Sequence, residues 1–599
     1  MGRNFGMIRL GEMNFRSELE KAIRRSVKGL YDLELDPALF SKKTEASVAK
    51  LVEHPRNEDF GDYATGVALA VASETKVDPL EVAHQLKKSL ITQLPNYLIT
   101  KIDVAPPGFV NFWLTQGALA DEASRVNKLK DRYGKSELGK GKTLLIDYSS
   151  PNIAKPFGIG HLRSTIVGQA LYNLYRFSSY KTIGENYLGD WGTQFGKLIY
   201  AVLTWGDEKK LAVERSVEEL EKLYVKFHQE VAKDPALEEK AREWFKRLED
   251  GDEEAVRRWK KFREWSIKEF ERIYKLLGVK IDKVTGESHF VSQTPQVIKE
   301  ARAKGLAIES EGALVIPFPV QMKLPPLILL KSDGATTYES RDLAAIKVRK
   351  KKHHPDLFLY ETGVEQELRF KQLFLAAEML GYGMADQFVH VAHGLYRFPE
   401  GKISTRLGRT LHLEEVLEEA IRRARKIVEE KNPDLSSSEK DRVSKAVGIG
   451  AVKYNDLSQH YSTEVTFDWE KMLSLEGNSA PYLQYTYARA RSVLRKSGKK
   501  RLSPITYRPS LINEELPLLR YLYRFPEVVE EAVASNAPNL VCNFLFELAQ
   551  RFNSFYERVP IIRAENKELK VLRLGLTSAT AQVIRNGLTL LGIETPERL

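Results

Sequence analysis

Lys142-Thr-Leu-Leu-Ile-Asp147-Tyr-Ser-Ser150-Pro-Asn152-Ile-Ala-Lys155-Pro-Phe-Gly158-Ile-Gly160-His161-Leu-Arg163-Ser-Thr165 changes character twice along its length. Thr143 to Ile146 is a short apolar run, which suits a buried strand. Ser149, Ser150, Pro151, Asn152 and Pro156 then break the chain into a loop. After His161 the apolar residues Leu162, Ile166, Val167, Ala170, Leu171 and Leu174 recur at helical spacing. The predicted order is strand, Gly-containing loop, helix. That order points backbone N–H groups and the positive end of a helix dipole at one place, which suits a phosphate.

The 599 residues around this stretch are enough for several domains and a sizeable core. No apolar run approaches the roughly 18 residues a membrane span requires. The first residues, Met1 to Leu10, have no long apolar core of the kind a secretory signal carries, and Met7 and Met13 are alternative starts. The single cysteine, Cys542, excludes an internal disulfide and a Cys-based zinc site. Its apolar neighbours, Leu540-Val-Cys-Asn-Phe-Leu545, predict a core position, and a cytoplasmic protein is the expectation. The net charge of +11 is a weak signal for a polyanionic partner. Two dense clusters, Arg349-Lys-Lys-Lys-His-His354 and Lys496-Ser-Gly-Lys-Lys-Arg501, read as solvated loops.

A helical pattern starts at Phe15 and continues through Leu19, Ala22, Ile23 and Val27, and a second covers Pro79 to Leu90. Leu98 to Val104 and Phe109 to Trp113 read as paired strands around Ala-Pro-Pro-Gly108, so the first region is a small α+β unit. Asn127 to Lys140 reads as a linker. Residues 141 to about 200 are α/β, ending in Gly189-Asp-Trp-Gly-Thr-Gln-Phe-Gly196 just past a strand. In an open α/β sheet, ligands gather at such strand ends. Residues 205–275 read as long charged surface helices, an insertion. Strand character returns at Ala313, Leu327, Leu357-Phe-Leu-Tyr360 and Phe388-Val-His-Val-Ala392, with helices headed by Tyr338 and Gln366. From Leu413 the spacing is helical to the end, and residues 440–599 read as a bundle.

Gly158-Ile-Gly-His161 has a distant partner in Gly401-Lys402-Ile-Ser404-Thr405-Arg406-Leu-Gly408. Together they resemble the HIGH and KMSKS signatures of class I aminoacyl-tRNA synthetases. Ser150 to Pro156, Gly160 to Thr165, Gly189 to Gly196, Tyr338-Glu-Ser-Arg-Asp342, Gly477 to Tyr485 with Tyr487-Ala-Arg489, and Gly587 to Gly592 are similar to the arginyl-tRNA synthetases in particular. Asp59-Phe-Gly-Asp62 and Pro107 to Phe112 resemble that family's additional N-terminal domain.

The resemblance implies an α/β fold: a class I Rossmann-like catalytic domain with a parallel sheet, at 136–435, carrying a helical insertion at about 205–330. It implies an N-terminal α+β tRNA-binding domain at 1–135 and an all-α anticodon-binding bundle at 436–599. The implied reaction joins arginine to tRNA(Arg) through arginyl-adenylate, with ATP as substrate, Mg²⁺ on its phosphates, and bound tRNA needed for activation. A monomer is expected. The implied catalytic residues are His161, Lys402, Arg406 and Lys155. Gly158, Gly160, Lys402 and Ser404 would line the ATP site with His161. Asp147, Ser150, Asn152, Tyr338, Asp342 and Gln366 would hold arginine. Asp342 would pair with the guanidinium, since a planar fork of donors asks for a carboxylate; Asp147 would be a second anionic contact. Tyr482, Tyr485 and Arg489 would meet tRNA, with Tyr487 and Arg491 beside them. No metal-ligand cluster is expected.

Both signatures depart from the class pattern, the first at Gly158 and the second at Thr405 and Leu407. Gly158 stands where the first His of HIGH is usual, and losing such a donor can cost roughly 3 kcal/mol in a transition state. Thr405 stands at the second Lys of KMSKS, which is usual in this family, where the Ala-Lys-Pro lysine, here Lys155, is thought to compensate; Leu407 follows Arg406 where Lys or Ala is commoner. Gly158 and Leu407 motivate one alternative, a non-catalytic tRNA-binding paralogue; a sister synthetase for cysteine or glutamate is the other.

Overall fold

The computed structural model describes residues 14–35, 50–207, 211, 216–397, 412–498, 505 and 514–599. The chain forms two compact units. One comprises residues 1–131, 493–524 and 550–583; the other comprises residues 132–492, 525–549 and 584–599.

The first unit begins with α1 (Phe15–Tyr31), whose Asn14 side chain accepts the Ser17 N–H as an N-cap. A three-stranded antiparallel sheet, in order β1 (Tyr63–Thr65), β3 (Phe109–Leu114), β2 (Ile99–Ala105), carries α2 (Val67–Thr75) and α3 (Pro79–Gln93). The paired strands predicted around Pro106–Pro107 are β2 and β3. Asp62 is buried against them. It accepts the Leu114 N–H at 2.8 Å and faces Arg520 at 3.3 Å. Helix α4 (Gln116–Leu129) takes in Asn127 to Leu129, which the sequence reading had placed in a linker. Thr115 caps its start, and Ala118, Leu119, Ala123 and Val126 bury one face, so packing extends the helix into charged sequence.

The second unit is built on a five-stranded, all-parallel sheet in the order β11-β10-β4-β5-β6. The opening stretch supplies β4 (Thr143–Asp147) and α5 (Gly160–Phe177). Then come β5 (Lys181–Leu188) and α6 (Thr193–Trp205). The charged insertion forms α7 (Ser216–Val231), α8 (Leu237–Glu249) and α9 (Glu253–Leu277), as its composition predicts. Next follow β6 (Lys283–Gly286), α10 (Glu287–Phe290) and α11 (Thr294–Ala303). A small antiparallel sheet of β7 (Ile308–Ser310), β8 (Ala313–Ile316) and β9 (Leu327–Leu330) precedes α12 (Tyr338–His353). The sheet closes with β10 (Leu357–Gly363), α13 (Glu367–Met379) and β11 (Phe388–His393). Leu145, Leu314, Leu343, Ile346, Phe358, Leu373 and Phe388 form one continuous core beneath these elements.

Beyond β11, the described residues of this unit are mostly helical, from α14 (Leu413–Lys431) and α15 (Ser437–Leu457) to parts of the helices Ala480–Lys496, Asn539–Arg558 and Lys567–Leu590. Arg163 of α5 is fully buried at the junction with α15. It pairs with Asp456 at 3.1 Å and donates to the carbonyls of Gly394, Tyr461 and Thr463. Cys542 is buried as expected, its thiol donating to the Leu457 carbonyl at 3.3 Å. Among the described residues, no helix is long and apolar enough to cross a membrane.

Candidate active site

A cleft of about 410 Å³ opens beyond the carboxyl ends of β4, β5, β10 and β11 and the N-terminus of α5. This is where an open parallel sheet collects ligands. Of the residues singled out in the sequence, Asp147, Ser150, Asn152, Gly160, His161, Asp342 and Gln366 line it.

The loop between β4 and α5 holds its shape against backbone preference. Ser149, Ser150 and Ala154 have φ of 72°, 45° and 60°, left-handed values that cost a non-glycine residue on the order of 1 kcal/mol. Each is pinned. Ser149 Oγ lies 2.8 Å from both Thr165 Oγ1 and the Tyr274 hydroxyl. The Ser150 N–H donates to Asn186 Oδ1 at 3.0 Å, and its hydroxyl donates to Asp147 Oδ1 at 2.7 Å. The Ala154 N–H donates to Ser266 Oγ at 2.7 Å. Across from Asn152 stands Gly189, where a Cβ would fall 1.9 Å from Asn152 Oδ1. Glycine is therefore needed at 189 to leave room for that amide.

Asp147 lines the cleft and is also paired within the chain. It is engaged by the chain's own Arg349, which donates to Asp147 Oδ2 at 2.8 Å and pairs with Glu185 at 3.0 Å. All three are buried, so one guanidinium serves two carboxylates. Burial pushes the Asp147 carboxyl up to about 6, and Glu185 adds to the push against Arg349. At Glu185 burial is outweighed by Arg349 and Thr285, and its carboxyl sits below the ordinary value. Arg349 itself had been read as part of a solvated cluster. It lies on α12, whose register turns it onto Tyr187 and Tyr360 at 5.0 and 5.8 Å while its lysine neighbours face outward. The net charge of a run says nothing about which member the helix turns inward.

Farther along the cleft, acidic groups face a pocket. Asp342 is buried on α12, and burial raises its carboxyl above the ordinary value despite Arg369. Arg369 forms an ion pair with Asp342, donates to Gln366 Oε1 at 2.9 Å and lies 6.0 Å from the Tyr338 ring. Tyr338 is the first residue of α12, after the Thr337–Ser340 capping box. It is half exposed and lines a neighbouring cavity with Trp191 and Phe245 rather than the cleft itself. Glu287, directly after β6, also lines the cleft. It lies 3.2 Å from Arg341, and burial pushes its carboxyl up to about 8.

The other end of the cleft holds histidines. Burial lowers His161 to about 4, so its imidazole is neutral near pH 7; Nδ1 has no hydrogen-bond partner among the described residues. His393, at the end of β11, is paired with Glu361 at 2.9 Å. Burial opposes its charge, yet Glu361 leaves it raised above the ordinary histidine value. Gly158 bridges to His412 through backbone, and its φ is not left-handed. Lys155 is exposed and outside the cleft lining, its Nζ 5.5 Å from the Tyr224 ring. Lys402, Ser404 and Arg406, with Thr405 and Leu407, lie outside the described residues.

On the helix Ala480–Lys496, Tyr482 and Tyr485 are half-buried. Tyr482 packs 5.8 Å from Phe546, and Arg489 lies 4.9 Å from the Tyr485 ring. Tyr487 is buried, so its ring face is not offered to a base, and Arg491 pairs with Glu597 at 3.0 Å.

Sequence reasoning missed Glu287, Arg349, Glu361, Arg369 and His393. Glu361 and His393 end parallel strands, and the strand-end rule alone flags them. Glu287 follows a four-residue strand inside a charged region, which leaves no periodic signal.

The family model described as tRNA synthetases class I (R), catalytic domain, matches residues 125–469. The arginyl tRNA synthetase N terminal domain matches residues 17–114, and the DALR anticodon binding domain matches residues 483–599. The chain is 42% identical over 557 residues to an arginine–tRNA ligase of Clostridioides difficile, covering 93% of this chain and 97% of that one. It is 39% identical over 589 residues to that of Clostridium beijerinckii, covering 98% and 100%. Among solved structures it is similar to the Thermus thermophilus arginyl-tRNA synthetase, with a TM-score of 0.81, 25% identity and coverage of 98% and 100%.

Proposed function

Since the chain belongs to the class I arginyl-tRNA synthetases, we propose that the cleft activates arginine with ATP and passes the arginyl group to tRNA(Arg). The observation that carries this reading is the acidic pocket. Asp342 and Gln366 there already hold a guanidinium, that of Arg369, with Glu287 facing the same cleft. Paired planar bonds of that kind distinguish arginine from lysine.

Arginine would lie with its side chain toward Asp342 and Glu287 and its α-amino and carboxylate groups toward Asn152 and Gln366. Its carboxylate oxygen attacks the α-phosphorus of ATP, a P–O bond forms, and the bond to pyrophosphate breaks. A ribose hydroxyl of the terminal tRNA adenosine then attacks the acyl carbon, and AMP leaves. The rate comes mainly from holding these atoms in line and from donors aimed at the developing charge. His161 donates as a neutral imidazole, and the amide groups at the start of α5 face the same end. His393, kept in place by Glu361, which favours its charged form, lines the same cleft. Arg349 fixes the Asp147 carboxylate, which in turn orients Ser150. In this reading Asp147 is a support for the loop rather than a direct arginine contact. Lys155, Lys402, Ser404 and Arg406 act on the phosphates, with Mg²⁺ brought in on the nucleotide. Tyr482, Tyr485 and Arg489 contact tRNA, and the enzyme works as a cytoplasmic monomer.

A charging assay with ATP, Mg²⁺, total tRNA and each standard amino acid tests the reading. Arginyl-tRNA alone is expected. Absence of arginyl-tRNA would favour the non-catalytic paralogue, and charging with another amino acid would move the specificity.

A further inference from the structure

Three of the residues expected to hold arginine converge on a guanidinium that belongs to the chain. Arg369 sits in the first turn of α13, three residues after Gln366. One of its terminal nitrogens donates to Gln366 at 2.9 Å and the other to Asp342. Tyr338 lies 6.0 Å from its guanidinium carbon, and Glu339 lies 3.7 Å from Nε. The fit is incomplete. Nε is buried without a hydrogen-bond partner among the described residues, so the fork is not fully used. The side chain is also 31% exposed, unlike Arg349 at 4%, which leaves it a way out to solvent.

We propose that Arg369 is an internal stand-in for the substrate, occupying the guanidinium site and leaving it when arginine binds. This rests on the reading that Asp342 receives the substrate's guanidinium. Two guanidinium groups cannot both take the Asp342 carboxylate in the same geometry. The incoming one must therefore release Arg369, which swings on its four-bond stem toward solvent. Until then, Arg369 neutralises an acidic pocket that would otherwise bury uncompensated carboxylate. Apparent affinity for arginine is reduced by the fraction of molecules in which Arg369 is docked. Because the same docked state excludes every guanidino ligand, the reduction is a common factor.

The test is steady-state aminoacylation by the full-length enzyme and its R369Q, R369K and D342N variants, with agmatine as a competitive guanidino inhibitor. Expected for R369Q is a fall in the arginine KM of about threefold to tenfold, on the scale of one net intramolecular hydrogen bond. The agmatine Ki should fall by the same factor, and the ATP KM should not change. R369K keeps the charge but loses the fork, and an intermediate fall is expected. D342N raises the arginine KM. If D342N raises it while R369Q and R369K leave it unchanged or higher, Arg369 supports the pocket and the stand-in proposal is overturned. A fall in arginine KM without a matching fall in agmatine Ki also overturns it. If D342N leaves the arginine KM unchanged, it is the reading of the pocket itself that fails. Circular dichroism of each variant establishes that the comparison is between folded enzymes, and R369K supplies it should R369Q not fold.

Discussion

Single ionisable groups in the cleft give it a pH dependence whose sign can be worked out. Burial lifts Glu287 to about 8 in the empty cleft, so the carboxyl is largely protonated at pH 7. A bound guanidinium favours the carboxylate, so arginine binding releases a proton below that value. Affinity for arginine is therefore expected to rise as pH goes from 6 to 8 and then level off. Calorimetry in two buffers of different ionisation enthalpy would detect the released proton; no proton release at pH 7 would separate Glu287 from the substrate. Folding of the empty enzyme runs the other way. The raised carboxyl contributes stability that is full below about 4.5 and is lost as pH rises toward 8. Arg349 makes a second prediction. R349M leaves Asp147 and Glu185 buried without their cation and should cost about 3–5 kcal/mol. D147N should cost less, because Asp147 already carries a proton up to about pH 6. The shift in urea midpoint compares the two. At this scale the sequence marked His161, Asn152, Asp342 and Gln366, all of which line the cleft, because they stand in recognisable surroundings. It hid Arg349 and Arg369, because an arginine that pairs with its own chain has no local mark.

Elements place those groups, and the β4–α5 loop does most of the placing. Its three left-handed residues are held by partners from α5, β5 and α9, so the loop is shaped by the finished fold rather than by its own sequence. Gly189 is the sharpest point of contact. G189A should push the Asn152 amide aside and lower kcat/KM for arginine by on the order of 100-fold, as small displacements of positioning groups can. Its melting temperature should move only modestly, since Asn152 is exposed and can shift. Equal loss of fold and function would mean that the glycine is needed for packing instead. Strand and helix order could be read from the apolar runs. The left-handed turns could not, because serine and alanine carry no sign of them. The linker expected at Asn127 turned out to begin inside α4 for a related reason: burial on one face outweighed the local charge.

The molecule as a whole joins distant stretches in ways that periodicity cannot show. Residues 493–524 and 550–583 cluster with the first 131 residues, although spacing alone suggests one uninterrupted helical bundle. In the catalytic unit, Arg163 ties α5 to α15 with one buried ion pair and to the loops at Gly394 and Tyr461–Thr463 with three carbonyl bonds. R163M should cost about 3–5 kcal/mol by stranding Asp456, and it should lower kcat as well, because α5 also carries His161. Full activity with lowered stability would show that the start of the helix holds its place alone. The net charge of +11 makes a separate prediction about the proposed RNA partner. The KM for tRNA should rise steeply between 50 and 200 mM salt, by on the order of tenfold or more, while the KM for arginine moves little. A flat response would argue against a backbone-dominated interface. The lone cysteine opens an experimental route. Cys542 is fully enclosed, and burial holds its thiol well above the ordinary range, so maleimides should leave the native enzyme unmodified. The native protein then takes up no thiol-directed label. A cysteine placed at exposed Leu368, next to Arg369, could carry the only spin label or dye in the chain and report each departure of that side chain as arginine arrives.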